Sequence, residues 1–148
     1  MSRIMLYATL AVALAIGNLR SASAQPAAPP ATFALDSIER VIGRWAGTLE
    51  DHATGESVPL ELATTREGAR ASIAIQFTFG PMIRIGHADA IAFHGDSVTI
   101  SATIEGAIAN FSGRWMAPEW SGTFAITTPD GDMLTGRWRL AKAAPRAP

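Results

Sequence analysis

The spacing of hydrophobic positions changes once, near the start of the chain, and then holds a period of two almost to the end. Ile38, Val41 and Ile42 fall on one helical face, Asp36 has the chemistry of a cap, and Glu39 stands three residues on, at capping-box spacing. Gly43 then stops the helix. From Arg44 onward the alternation is that of a strand. Trp45, Gly47 and Leu49 point one way, and Arg44, Thr48 and Glu50 the other. Val58, Leu60 and Leu62 make the next row, with Pro59 among them as at an edge or a strand start. Ala71, Ile73, Ile75, Phe77 and Phe79 give the cleanest alternation, which Gly80-Pro81 breaks. Residues 82–87 read as a loop, with at most a short strand at 83–85. A strand follows at 88–93, then a hairpin turn at His94-Gly95-Asp96-Ser97. The later rows are Val98, Ile100, Ala102 and Ile104; Phe111, Gly113 and Trp115; Trp120, Gly122, Phe124 and Ile126; and Leu134, Gly136, Trp138 and Leu140. Pro129-Asp130-Gly131-Asp132 separates the last two as a turn.

About eight strands at close spacing, joined by short turns, pair antiparallel in an up-and-down meander, because such connections are too short to cross a sheet. An all-β fold follows, with one short N-terminal helix. Eight strands with one dense apolar face curl into a closed or nearly closed barrel; a sandwich satisfies the same alternation. Gly43-Arg44-Trp45 recurs as Gly113-Arg114-Trp115 and Gly136-Arg137-Trp138, and Trp45-Ala46-Gly47-Thr48 is echoed by Trp120-Ser121-Gly122-Thr123. All four tryptophans sit in these echoes. The strand glycines Gly47, Gly113, Gly122 and Gly136 are expected to let the sheet coil and let a neighbouring indole lie across bare backbone.

The N-terminal composition changes the picture of what the barrel includes. Arg3, the apolar run from Ile4 to Ile16 and Ser21-Ala22-Ser23-Ala24 match the three parts of a signal peptide. Residues 1–24 are therefore expected to be cleaved, leaving 124 of the 148 residues. Residues 25–34 read as a flexible, Pro/Ala-rich leader, 35–142 as one barrel domain and 143–148 as a disordered tail. Export to the periplasm or beyond is expected, without membrane insertion after cleavage. The chain has no cysteine, which excludes disulfides, thiolate metal sites and a cysteine nucleophile. Loss of Arg3 and Arg20 leaves ten basic side chains against 13 acidic ones. No basic stripe remains for phosphates, so nucleic acid is not an expected partner.

Candidate chemistry is sparse. His87 and Asp89, with His94 nearby, form the best metal-like or acid–base set, but no fourth ligand accompanies them. Ser97 and Ser112 lack the sharp elbow that a serine nucleophile needs. Asp130 and Asp132 flank Gly131, where a turn favours aspartate for backbone reasons. Asn110-Phe111-Ser112 matches the glycosylation pattern but lies within a strand. No catalytic residue, metal ligand or cofactor is assigned on this basis. What remains is the apolar interior. Leu62, Ile75, Phe77, Phe93, Ile100, Phe111 and Phe124 are the candidate lining of a cavity for a small apolar ligand, and a packed core is the other outcome.

The short helix followed by Gly43-Arg44-Trp45 at the start of an eight-stranded meander resembles the calycin group, which includes lipocalins and the avidin type. That resemblance implies a tryptophan packed at the closed end of the barrel, with a basic residue of the last strand across it; Arg137 and Arg139 are the matching candidates. A likeness that spans residues 42–142 is to a small bacterial β-domain found in exported proteins, alone or in front of an α/β-hydrolase domain. It rests on Trp45-x-Gly47-x-Leu49, on Val98-Thr99-Ile100, on Trp120-Ser121-Gly122-Thr123 and on Gly131-Asp132-x-Leu134-Thr135-Gly136-x-Trp138. It implies an exported accessory or binding module, with catalysis left to the hydrolase where one is present. Small bacterial metalloprotease inhibitors are similar too, and imply a protein-interaction role for the leader. The expectation is a non-catalytic barrel that binds a small apolar ligand or an exported protein partner.

Overall fold

Strands with one apolar face must bury it, and an up-and-down meander does so by wrapping that face inward until its first and last full strands meet. The computed structural model describes residues 29–79 and 81–145. The expected signal segment lies outside them, as do the first residues of the leader and the last of the tail. The elements are β1 (Phe33–Ala34), a 3₁₀ helix (Leu35–Val41), β2 (Arg44–Asp51), β3 (Ser57–Glu67), β4 (Arg70–Phe79), β5 (Met82–His94), β6 (Ser97–Ile104), β7 (Ala107–Met116), β8 (Glu119–Thr127) and β9 (Met133–Lys142). Strands β2 to β9 pair antiparallel in chain order, and β9 returns to β2 from Trp45↔Lys142 to Asp51↔Gly136. That last pairing closes an eight-stranded barrel and rules out the sandwich. β1 is an extra strand that adds to the start of β4, with Phe33 opposite Ala71 and Ala34 opposite Arg70.

The inward rows are those expected from the alternation. Trp45, Leu49, Leu60, Leu62, Ile73, Ile75, Ile100, Phe111, Phe124, Trp138 and Leu140 are all buried in one core. Glycine allows a close approach where β7 and β8 face each other at Gly113↔Gly122. A Cβ on Gly113 would lie 2.4 Å from the Trp138 ring and 2.6 Å from the Ser121 carbonyl oxygen. The indole occupies that bare patch, and its Nε1 donates to the carbonyls of Thr123 at 3.0 Å and Ser112 at 3.2 Å.

One end of the barrel is plugged. The 3₁₀ helix puts Ile38, with no exposed surface, and Val41 into the core beside Trp45. Trp45 donates from Nε1 to the Val41 carbonyl at 3.1 Å and meets Trp115 edge-on at 5.9 Å. The helix departs from expectation at its start. It begins at Leu35, Ala34 occupies the cap position, and no side chain caps it. Ser37 Oγ instead donates to the Ala34 carbonyl at 2.7 Å. Seven residues with a kink at Ile38 form too short a helix for a capping box to decide; burial of Ile38 and Val41 holds it. The basic residue across Trp45 is Lys142, not Arg137 or Arg139. Its Nζ lies 5.4 Å from the ring centroid and donates to the Ile42 carbonyl at 3.0 Å. Parity is the reason: Lys142 lies opposite Trp45 and continues the row of Trp138 and Leu140, whereas Arg137 and Arg139 are exposed on the outer face.

The largest departure is β5. Residues 82–94 form one 13-residue strand rather than a loop and a short strand. Its first part pairs with β4, from Phe79↔Met82 to Ala74↔His87, and its second part pairs with β6. A bulge at Asp89 shifts the register between Ala88 and Ala90 and changes which residues face inward. Before the bulge Arg84 and Gly86 face inward, opposite Phe77 and Ile75, while Ile83 and Ile85 face out at 55% and 52% exposure. After it Ile91 and Phe93 face inward, opposite Ile100 and Val98. The polarity of the first half is inverted, so alternation alone did not read as a core strand.

Candidate open-end bay

At the end opposite the helix, three inward positions are no longer bulky and apolar. Arg84 stands on β5, Ala107 starts β7, and Thr128 follows β8. Gly86 lets β5 cross close over β6; a Cβ there would fall 2.4 Å from the Thr103 carbonyl oxygen and 2.5 Å from Ile104 Cγ1. The result is a bay of about 420 Å³ in the mouth of the barrel. Phe77, Ile104, Ile126 and Leu134 line it, with Met82 and Pro129 also in its wall. One ion pair joins the lining, between the Arg84 guanidinium and the Glu105 carboxylate. Glu105 and Gly106 both have positive φ, 49° and 84°, the geometry of a two-residue hairpin turn. That turn brings the carboxylate to Arg84. Around the same end, Ile83, Ile85, Ile108 and Met133 are exposed on the outside of the barrel.

The seven candidate lining residues do not meet in one cavity. Leu62, Ile75, Ile100 and Phe111 border a void of about 10 Å³, close to the roughly 10–15 Å³ a single water requires. A second void of about 10 Å³ lies nearer the plug, between Val41, Trp45 and Trp120. Phe124 packs on Phe111 at 6.4 Å between ring centroids, and Phe93 packs on Trp120 at 5.9 Å. Only Phe77 of the seven lines the bay. Arg84, Ile104, Leu134 and the other bay residues were missed. The signal for them was the inverted polarity of residues 82–86, an arginine and a glycine where a core strand would place large apolar groups.

His87, Asp89 and His94 do not form a three-ligand set, and no group of three or more His, Asp or Glu among the described residues is placed to hold a metal. Asp89 is the bulge residue, and its carboxylate accepts from Thr103 Oγ1 at 2.7 Å. Among the described residues no helix is long and apolar enough to cross a membrane. No protein-family model and no curated protein matches the chain.

Proposed function

We propose that this chain is an exported, non-catalytic barrel of calycin type whose open-end bay binds a small apolar molecule. One observation carries the reading. A bay of about 420 Å³ opens between inward-facing side chains over Phe77, Ile104, Ile126 and Leu134. That volume falls within the roughly 300–1,000 Å³ range of small-molecule sites. The interior beneath it is filled, so a guest would sit in the mouth rather than deep in the barrel. The Arg84–Glu105 pair supplies one polar point at the rim that can orient such a guest. The calycin assignment rests on the closed meander, the plugged first strand and Lys142 across Trp45.

A displacement titration with the neutral fluorophore N-phenyl-1-naphthylamine on delipidated protein tests the proposal. Saturable binding at one site is expected. Ala107→Trp, which fills the bay from a half-buried position, should weaken binding at least about tenfold, whereas Phe111→Leu in the interior should leave it within a few-fold. Failure to saturate, or equal binding by Ala107→Trp, would overturn the proposal.

A further inference from the structure

β4 and β5 part company halfway along the barrel. They pair only from Phe79↔Met82 to Ala74↔His87. Beyond that point β4 takes β1 on its free side, at Ala71 and Arg70, and so is covered. β5 is not. From Ala90 to His94 it pairs with β6 on one side, and on the other no described residue makes a backbone hydrogen bond to it. The two-residue turn Gly95-Asp96 closes on the His94↔Ser97 pair, so strand alternation turns the N–H and C=O groups of Phe93 and Ile91 away from β6 and towards this fork. Both side chains face inward yet are only half-buried, so the fork is open to solvent. Most buried or half-buried backbone groups find partners in folded proteins, and a bare edge is a template for one more strand.

A groove of about 290 Å³ runs along this edge, between Phe93 and Gly95 on one side and Asp36, Ser37, Glu39 and Arg40 of the 3₁₀ helix on the other. Two carboxylates line it, Asp36 and Glu39; both are exposed, and neither has an ion-pair partner among the described residues. Arg40 is the one arginine lining the groove, and its guanidinium is engaged by the Gly95 carbonyl. The adjoining leader is poorly suited to fill the edge, since Pro26, Pro29 and Pro30 lack the N–H a ladder needs.

We infer that the bare edge of β5 docks an extended, lysine- or arginine-bearing peptide segment of another protein, which adds to the barrel wall as a strand. Main-chain hydrogen bonds to Ile91 and Phe93 supply the pairing, and Asp36 and Glu39 across the groove select positive side chains. This site is separate from the open-end bay and does not depend on it.

The probe is a capped eight-residue peptide of alternating lysine and valine, titrated into isotopically labelled protein and followed by NMR. Saturable binding is expected, with slowed exchange of the Ile91 and Phe93 amides. The same peptide N-methylated along its backbone should bind at least about tenfold more weakly, as should a glutamate/valine peptide. The exposed double variant Asp36→Asn with Glu39→Gln should lower affinity for the lysine peptide several-fold and flatten its salt dependence. The inference is overturned if the lysine peptide does not saturate, or if N-methylation leaves affinity unchanged. Protection of Ile91 and Phe93 that grows with protein concentration in the absence of peptide would also overturn it, by assigning the edge to a second copy of this chain.

Discussion

Two buried indoles differ in the surroundings of one atom. Trp138 Nε1 donates to the carbonyls of Thr123 and Ser112, whereas Trp120 Nε1 is buried with no hydrogen-bond partner among the described residues. Removing a donor that is bonded costs about 0.5–1.5 kcal/mol net, while an unsatisfied buried donor is already paying about 1–3 kcal/mol. Both Trp→Phe changes lose similar ring volume, so the polar difference is exposed by comparing them. Trp138→Phe should therefore destabilise the barrel by at least about 1 kcal/mol more than Trp120→Phe, measured as urea midpoints at constant slope. Equal losses would show that packing alone decides both sites. Repetition made these tryptophans legible in the sequence as framework residues. Which indole nitrogen would be bonded was not legible, because the acceptors on Trp138 come from β7 and β8 and depend on how closely those strands approach at Gly113 and Gly122.

At the scale of elements, the 3₁₀ helix and the β2–β3 loop make opposite demands. The helix has no side-chain cap and persists through burial, so Ile38→Ala should cost about 2–5 kcal/mol and Asp36→Ala should cost far less. Equilibrium unfolding of both variants checks this, and a larger loss at Asp36 would restore the cap as the cause. The loop is instead organised by a polar group. The Thr54 hydroxyl, and then the Ala53 N–H, hold the Asp51 carboxyl below its ordinary value. A lowered folded-state value means that ionised Asp51 favours the fold above the ordinary carboxylate range, and that this contribution is lost as pH falls through the lowered value. Asp51→Asn should flatten the acid limb of the stability curve below about pH 4, and an unchanged limb would contradict that cause. Turn chemistry of this kind is local, with all its partners between Asp51 and Thr54. The course of β5 is not local. Its bulge, its inverted first half and its bare second edge follow from the need to bridge from β4 to β6 around a closing barrel.

For the whole molecule, closure places the ends of the meander side by side and leaves two unlike mouths. One is sealed by the helix, Trp45 and Lys142; the other opens over Phe77, Ile104, Ile126 and Leu134. A ligand confined to the open mouth binds only the folded barrel. At a free concentration one hundred times its dissociation constant it should raise the unfolding free energy by about 2.7 kcal/mol, and Ala107→Trp should abolish that shift in a calorimetric melt. Most of the strands, their inward rows outside residues 82–87 and the antiparallel order were legible in the sequence, because period-two burial and short turns are local constraints with few global solutions; the tryptophan at the closed end was legible only through the calycin resemblance. That the interior is filled and the open space lies at the mouth came from the folded barrel alone, since volume depends on how far eight strands curl around the side chains they share. The folded barrel also decided that Lys142 rather than an arginine covers Trp45, and that β5 is left with an unpaired edge, because both depend on the register at which the barrel closes.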